Sequence, residues 1–221
     1  MRPIAHEIEE LQGKLLEMGG LVEAALRSSV RSLVLNDSSH AADVLNFEPR
    51  INDLQIQIDE AATCLLARHQ PVARDLRFVT SALKINSDLE RMGDLAVNIA
   101  ERSISFLGHP EDAELFDVPR MSRSVEAMVR ECLDSFVLRD EALARNVLAS
   151  DDPVDRMKDG VYREVLNALE RRTVSAAAAF DLMFVAHNLE RIADNATNIA
   201  EDVLFLVSGS DVRHRHAAMS S

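Results

Sequence analysis

The chain has 221 residues, with 37 Asp plus Glu against 24 Lys plus Arg, for a formal net charge of −13. A chain this acidic lacks the Lys/Arg surplus that phosphate contacts require, which argues against general nucleic-acid binding. Its 7 Gly and 6 Pro leave few turns for a sandwich or barrel of short strands, and 47% hydrophobic residues is too many for disorder.

Residues 4–35 carry Ile8, Leu11, Leu15, Met18, Val22, Leu26, Val30 and Leu33 at steps of three or four, the spacing of one helix face. Gly19-Gly20 falls inside this stretch and is expected to loosen it locally. Asn36-Asp37-Ser38-Ser39 reads as a turn. A second helix is expected over residues 41–68, kinked or delayed by Pro49. Gln70-Pro71 marks a break, and a third helix follows over 72–107. Residues 108–119, with a Gly, two Pro and four acids, read as a linker. Helical patterns then resume over 120–138, 141–171 and 175–207, ahead of a polar tail.

These patterns repeat. At an offset of 103, Val22-Glu23-Ala24 recurs as Val125-Glu126-Ala127, and Arg27, Ser32, Val34, Leu35, Asp37, Ala41, Val44 and Leu45 recur as well. Further on the offset is 100: DLERMGDLAVNIAE (88–101) returns as NLERIADNATNIAE (188–201), with nine of fourteen positions identical. The chain is therefore read as all-α, two tandem-repeat antiparallel three-helix bundles built from six long helices. The expected division is 1–109 and 117–208 for the repeats and 209–221 for a flexible tail. No apolar run reaches the ~18 residues of a membrane span. Residues 1–11 have no apolar signal core, and two cysteines without CxxC spacing fit a reducing cytoplasm. Any membrane association is then peripheral.

The last helix of each repeat carries an acidic stripe. At about 100° per residue, Glu90, Asp94, Asn98 and Glu101 fall within one narrow sector, and Glu190, Asp194, Asn198 and Glu201 repeat it. Like charges at i, i+4 destabilise a helix by a few tenths of a kcal/mol. A multivalent cation bound by these oxygens would reverse that sign. Iron, manganese, zinc and magnesium are all left open, although no His at matched positions argues against a dedicated zinc site. A di-iron oxidase needs Glu-x-x-His on two helices, whereas His187 precedes Glu190 and Ser87 stands at the matching place. His214-Arg215-His216 in the tail is read as solvated, and Cys64, among Ala61, Ala62, Leu65 and Leu66, as core packing. No phosphate-binding Gly loop or nucleophile elbow is present.

Four stretches, in order and inside a doubled repeat, resemble the PhoU family of accessory regulators of bacterial phosphate-specific transport. They are Met18-Gly19-Gly20-Leu21-Val22-Glu23, the run from Arg68 through His69-Gln70-Pro71 to Arg77, the paired Leu89-Glu90-Arg91-Met92-Gly93-Asp94 and Leu189-Glu190-Arg191-Ile192-Ala193-Asp194, and Gly209-Ser210-Asp211-Val212-Arg213-His214. The resemblance implies metal clusters, of iron or zinc above all, on the bundle surfaces. Glu90, Asp94, Glu190 and Asp194 would be ligands, extended by Asn98, Glu101, Asn198 and Glu201, with Asp59 and Asp155 on neighbouring helices. It implies no catalysis. It implies negative regulation of phosphate uptake and of the phosphate-starvation response at the inner face of the membrane. The implied partners are a phosphate ABC transporter and the sensor histidine kinase of the phosphate two-component system. A homodimer stays open, as do a metal-free adaptor working through the acidic faces and, last, a metal-dependent hydrolase or oxidase. Ala193, where the family has Gly, is expected to narrow the approach of a bound ion or a partner, without removing a ligand.

Overall fold

The computed structural model describes residues 3–109 and 115–209. Among these residues the structure is helical, with seven helices in chain order: α1 (Pro3–Leu35), α2 (Ser39–His69), α3 (Ala73–Phe106), α4 (Val118–Leu138), α5 (Glu141–Ala149), α6 (Asp151–Glu170) and α7 (Ala176–Ser208). Helices α1–α3 form the first repeat. Helices α4 to α7 form the second, with α5 and α6 together standing where the first has α2.

The repeat is visible in burial as well as in sequence. Ala41, Val44, Ile51, Ile58, Ala62 and Leu65 of α2 are buried, and so are the residues 103 further on: Ala144, Val147, Val154, Val161, Val165 and Ala168. Burial along 81–96 likewise returns residue for residue along 181–196. The offset changes from 103 to 100 between these stretches, so the three missing residues fall around the α6–α7 turn. That is close to one helical turn removed from the start of α7 relative to α3.

The two prolines behave differently. Pro49 lies inside a continuous α2 and neither stops it nor delays its start. The expected single helix over 141–171 is instead broken at Ser150, which caps both α5 and α6. Pro153 is the cause: its ring would collide with the carbonyl of Ala149, and it has no N–H to offer. Asp151 and Asp152 then occupy the first turn of α6, where the helix dipole favours acids. Val118-Pro119, assigned above to the linker, instead opens α4, with Pro in the first turn where its missing N–H costs nothing.

The repeats meet through α3 against α7 and α1 against α4. Contacts from Lys84 to Asp202 and from Arg102 to Asp181 show that α3 and α7 run antiparallel. Gly19 does not loosen α1. It lies where α4 crosses, and a Cβ there would sit 2.7 Å from Leu133 Cδ2. Phe78 of α3 stacks on Phe136 of α4 at 6.0 Å between ring centroids, so aromatic packing also spans the repeats. The main hydrophobic core runs through both repeats, with a small satellite of Ala25, Ala41, Val44, Ala96 and Ala100 in the first. Of the two cysteines, Cys132 lies in that core, where burial raises its thiol pKa. Cys64 is exposed, contrary to the core position expected from its neighbours. It sits on the outer face of α2, two residues past buried Ala62.

Candidate functional site

The acidic stripes sit on the outward side of the two central helices, as their phase on α3 and α7 requires. The inward side carries Leu89, Met92, Ala96 and Ile99 in the first repeat and Leu189, Ile192, Ala196 and Ile199 in the second, all buried. The second-repeat stripe divides into two environments. Glu190 and Asp194 face α6, whereas Asn198 and Glu201 line a cleft of about 250 Å³ between α3 and α7 with Lys84, Ser87, Asp88, Arg91 and Asp202. In the first repeat Asn98 is half-buried and Glu101 exposed.

The second-repeat cluster is the more crowded. Lys158 of α6 places its Nζ 3.0 Å from Glu190 Oε1 and 3.6 Å from Asp155 Oδ1. The bond to Glu190 raises the Lys158 pKa first, with Asp155 and Asp159 adding to it. His187 Nδ1 approaches the other Glu190 oxygen at 3.4 Å. Asp194 is pushed up to about 6, first by desolvation and then by the charges of Glu190, Asp151 and Asp155, against the pull of Lys158. Lys158 thus meets two carboxylates, one from each helix, and His187 adds an imidazole at Glu190.

The first-repeat pair is emptier. Burial, then the charge of Asp94, raises the Glu90 pKa, and Arg91 only partly offsets this. Arg91 reaches toward Asp88 at 3.6 Å. Among the described residues no ion pair joins Glu90 or Asp94 to a cation. Asp59 is exposed on α2 and accepts from Asn86 Nδ2 at 2.9 Å, and the same nitrogen donates to the Gln55 carbonyl at 3.0 Å. Asn86 Oδ1 is buried with no hydrogen-bond partner.

The donor chemistry suits an oxygen-seeking cation. Among the described residues, however, no three His, Cys, Asp or Glu side chains converge closely enough to hold one. The stripes therefore bring carboxylates near each other without closing a coordination shell. His214-Arg215-His216 and the closing motif from Ser210 to His214 lie outside the described residues.

Ala193 does not narrow any approach to an ion. It is fully buried, and its counterpart Gly93 faces α2, where a Cβ would stand 3.2 Å from Ile51 Cδ1. The residue matched to Ile51 in the second repeat is Val154, one carbon smaller. Gly93 with Ile51 in one repeat and Ala193 with Val154 at the matched positions of the other keep the summed side-chain volume nearly constant.

Two groups of charges were not singled out from the sequence. One is Lys158 with Asp151, although Asp151 and Asp155 have the same i, i+4 spacing as Glu190 and Asp194, and Lys158 follows three residues on. The other is at the α3–α7 seam. Asp88 is buried and pushed up to about 6, first by desolvation, with Arg91 and then Lys84 opposing and Asp202 adding to the rise. Lys84 Nζ donates to Asp202 Oδ1 at 2.8 Å, and Asp202 is only 5% exposed. At the opposite end of the seam, Arg102 lies 4.8 Å from the Phe184 ring and 3.6 Å from Asp181. The signal for Asp88 was its place beside Leu89 on the buried side, where the other repeat has neutral Asn188.

A family model, the PhoU domain, matches residues 15–103 and again 118–203. The two matches cover the two helical repeats. The chain belongs to the PhoU family. A phosphate-specific transport system accessory protein PhoU homolog from Pseudomonas aeruginosa is 38% identical over 209 residues, covering 94% of this chain and 86% of that protein. The accessory protein PhoU of Serratia marcescens is 31% identical, again over 94% of this chain and 86% of its own length. The crystal structure of PhoU from Pseudomonas aeruginosa superposes with a TM-score of 0.90 at 36% identity, covering 93% of this chain and 99% of that one. The phosphate transport system regulatory protein PhoU from Streptococcus pneumoniae superposes at 0.86 with 27% identity, over 95% of this chain and 99% of its own. The resemblance read from the four motifs and the all-α repeat architecture are thus both established, and the acidic stripes lie within the two matched domains.

Proposed function

We propose that this chain is a regulatory accessory protein of phosphate-specific transport, a helical adaptor that restrains high-affinity phosphate uptake and the phosphate-starvation response. The observation that carries this reading is the PhoU domain matched twice, once in each repeat, in a chain similar along nearly its whole length to accessory proteins of that system. The proposed partners are the phosphate ABC transporter and the sensor histidine kinase of the phosphate two-component system. The proposed place of action is the inner face of the membrane, reached as a peripheral protein. Among the described residues no helix is long and apolar enough to cross a membrane. Catalysis forms no part of the proposal.

A rigid bundle suits this role. One core joins both repeats, so a change at either acidic face is transmitted to a partner surface as a change in affinity rather than as local unfolding. The proposal includes metal binding, by iron or zinc before manganese or magnesium, with Glu90 and Asp94 as the leading ligands. It is supported by their i, i+4 repulsion, by the raised Glu90 pKa and by the absence of an ion-pair partner for either among the described residues. When bound, such a cation would neutralise the pair and set the charge of the face a partner meets. The regulatory reading is tested by deleting the gene in its native host with a phosphate-starvation reporter. Constitutive expression at high phosphate is expected, and an unchanged response would sink it. The metal reading is tested by metal analysis of the purified protein before and after Glu90→Ala with Asp94→Ala. Equal metal content would remove the assignment.

A further inference from the structure

We infer that the Lys158 ammonium is the resident cation of the second-repeat acidic cluster, so that the two repeats are unequal and only the first is open to a metal ion. This deepens the metal reading above and rests on it for the first repeat alone.

The geometry is specific to one repeat. Lys158 Nζ sits 3.0 Å from Glu190 and 3.6 Å from Asp155, bridging α7 and α6, with its side chain only 20% exposed. At the offset of 103 that governs α2 and α6, the matching residue is Gln55, which is neutral. Its carbonyl is engaged by Asn86. Other cations of the first repeat point elsewhere: Lys14 to Gln57, Arg50 to Glu17 and Arg91 to Asp88. Among the described residues, no cation of the first repeat takes the position that Lys158 holds in the second.

The consequence follows from charge and distance. An ion bound at about 2.1 Å from Glu190 Oε1 would lie no more than about 5 Å from Nζ, where a divalent charge and an ammonium repel strongly at protein-like dielectric. Binding would require Lys158 to swing out and give up both carboxylates. A lysine fits this duty because its charge sits on a compact, mobile head with three donors. Two carboxylates, Glu190 and Asp155, meet this one ammonium, and Asp194 lies one helical turn beyond Glu190. Removing Lys158 would leave their charge to an outside cation.

The test is titration of the full-length protein with Mn²⁺, read by calorimetry and by metal content after gel filtration. In the parent protein, Glu90→Gln with Asp94→Asn is expected to abolish binding, and Glu190→Gln with Asp194→Asn to leave it unchanged. Lys158→Gln is expected to add a second Mn²⁺ site, or to tighten weak binding at least tenfold. Adding Glu190→Gln should erase that gain. Lys158→Ala provides an independent variant, and both are expected to melt at lower temperature in chelator and to recover in Mn²⁺. Mn²⁺ binding in the parent that depends equally on both acidic pairs would overturn the inference while leaving the metal reading intact. A gain in Lys158→Gln with no binding in the parent would leave Lys158 as the resident cation and remove both the first-repeat metal site and the asserted inequality. No binding in either protein would overturn both.

Discussion

The Glu90–Asp94 pair and the Glu190–Asp194 pair occupy matched places on α3 and α7, yet they solve the same electrostatic problem in different ways. In the second repeat, the facing helix α6 offers Asp151 and Asp155, and with them Lys158, so the cluster is dense in acid and carries its own cation. In the first, α2 offers Glu48, Asn52 and Gln55 at the matched positions, with one acid in place of two and no cation. A duplicated helix pair thus keeps its core register while its outer faces diverge. Core positions answer to volume and are constrained by their neighbours. Outer positions answer to charge, which a single substitution on the facing helix can rebalance.

The core side of this comparison breaks most heavily at the α2–α3 contact. Ile51→Ala should cost about 4 kcal/mol, because Gly93 has no side chain to fill the void. Val154→Ala, at the matched buried place in the second repeat, should cost about 2 kcal/mol, for a smaller deleted volume. Equal losses in urea unfolding would show that the two contacts are not packed differently.

The seam predicts a pH effect that only one repeat carries. Asp88 is raised to about 6 in the folded protein against an ordinary value of 3.8. The folded state therefore binds the extra proton between those values, and the contribution of Asp88 to stability falls as pH rises from about 4 to about 6, then stays level. Asp88→Asn, which copies Asn188, should exceed the parent by on the order of 2 kcal/mol at pH 7. The difference should vanish by about pH 4. Unfolding curves in chelator across that range check it, and a gap that widened on acidification would contradict the assignment.

A smaller effect tests volume compensation directly. Gly93→Ala brings a methyl to 3.2 Å from Ile51 Cδ1 and should cost about 1 kcal/mol net of the gain in helix propensity. Ile51→Val alone should cost about 1 kcal/mol. The double variant reproduces the second repeat and should return close to the parent, a coupling that a double-mutant cycle measures. Strict additivity would mean that Gly93 and Ile51 do not share the space. Smallest of all, Cys64→Ser should change stability by less than about 0.5 kcal/mol because it is exposed. Cys132→Ser, in the core, should cost about 1–2 kcal/mol. Comparable melting temperatures for the two would contradict their placement.

Much of the fold was legible before any coordinates. Steps of three and four placed the long helices to within a few residues, because amphipathic spacing is a property of consecutive positions. The recurrence of LER and NIAE at a fixed offset exposed the duplication and located both acidic stripes. The errors share a cause. Cys64 was placed by the company of its neighbours, but helical phase turns it outward two residues after Ala62. Gly19 and Ala193 looked like local features and proved to be contact positions, whose partners Leu133 and Ile51 or its counterpart are distant in the chain. The break at Ser150 is signalled by Pro153, which the expected single helix over 141–171 passes over, whereas Pro49, expected to kink or delay its helix, lies in a continuous α2.

What the sequence determined by itself was periodic and local: an all-α chain, two repeats, the helix faces and the PhoU motifs upon them. The tertiary structure alone decided which faces meet, since that depends on how helices far apart in the chain pack. It joined two repeats into one core and buried Asp88 and Asp202 at the seam between α3 and α7. It also placed Lys158 among the carboxylates of the second repeat, with no matching cation among the described residues of the first. Charge at a site is the sum over every helix that faces it, and one helix read alone supplies only its own share.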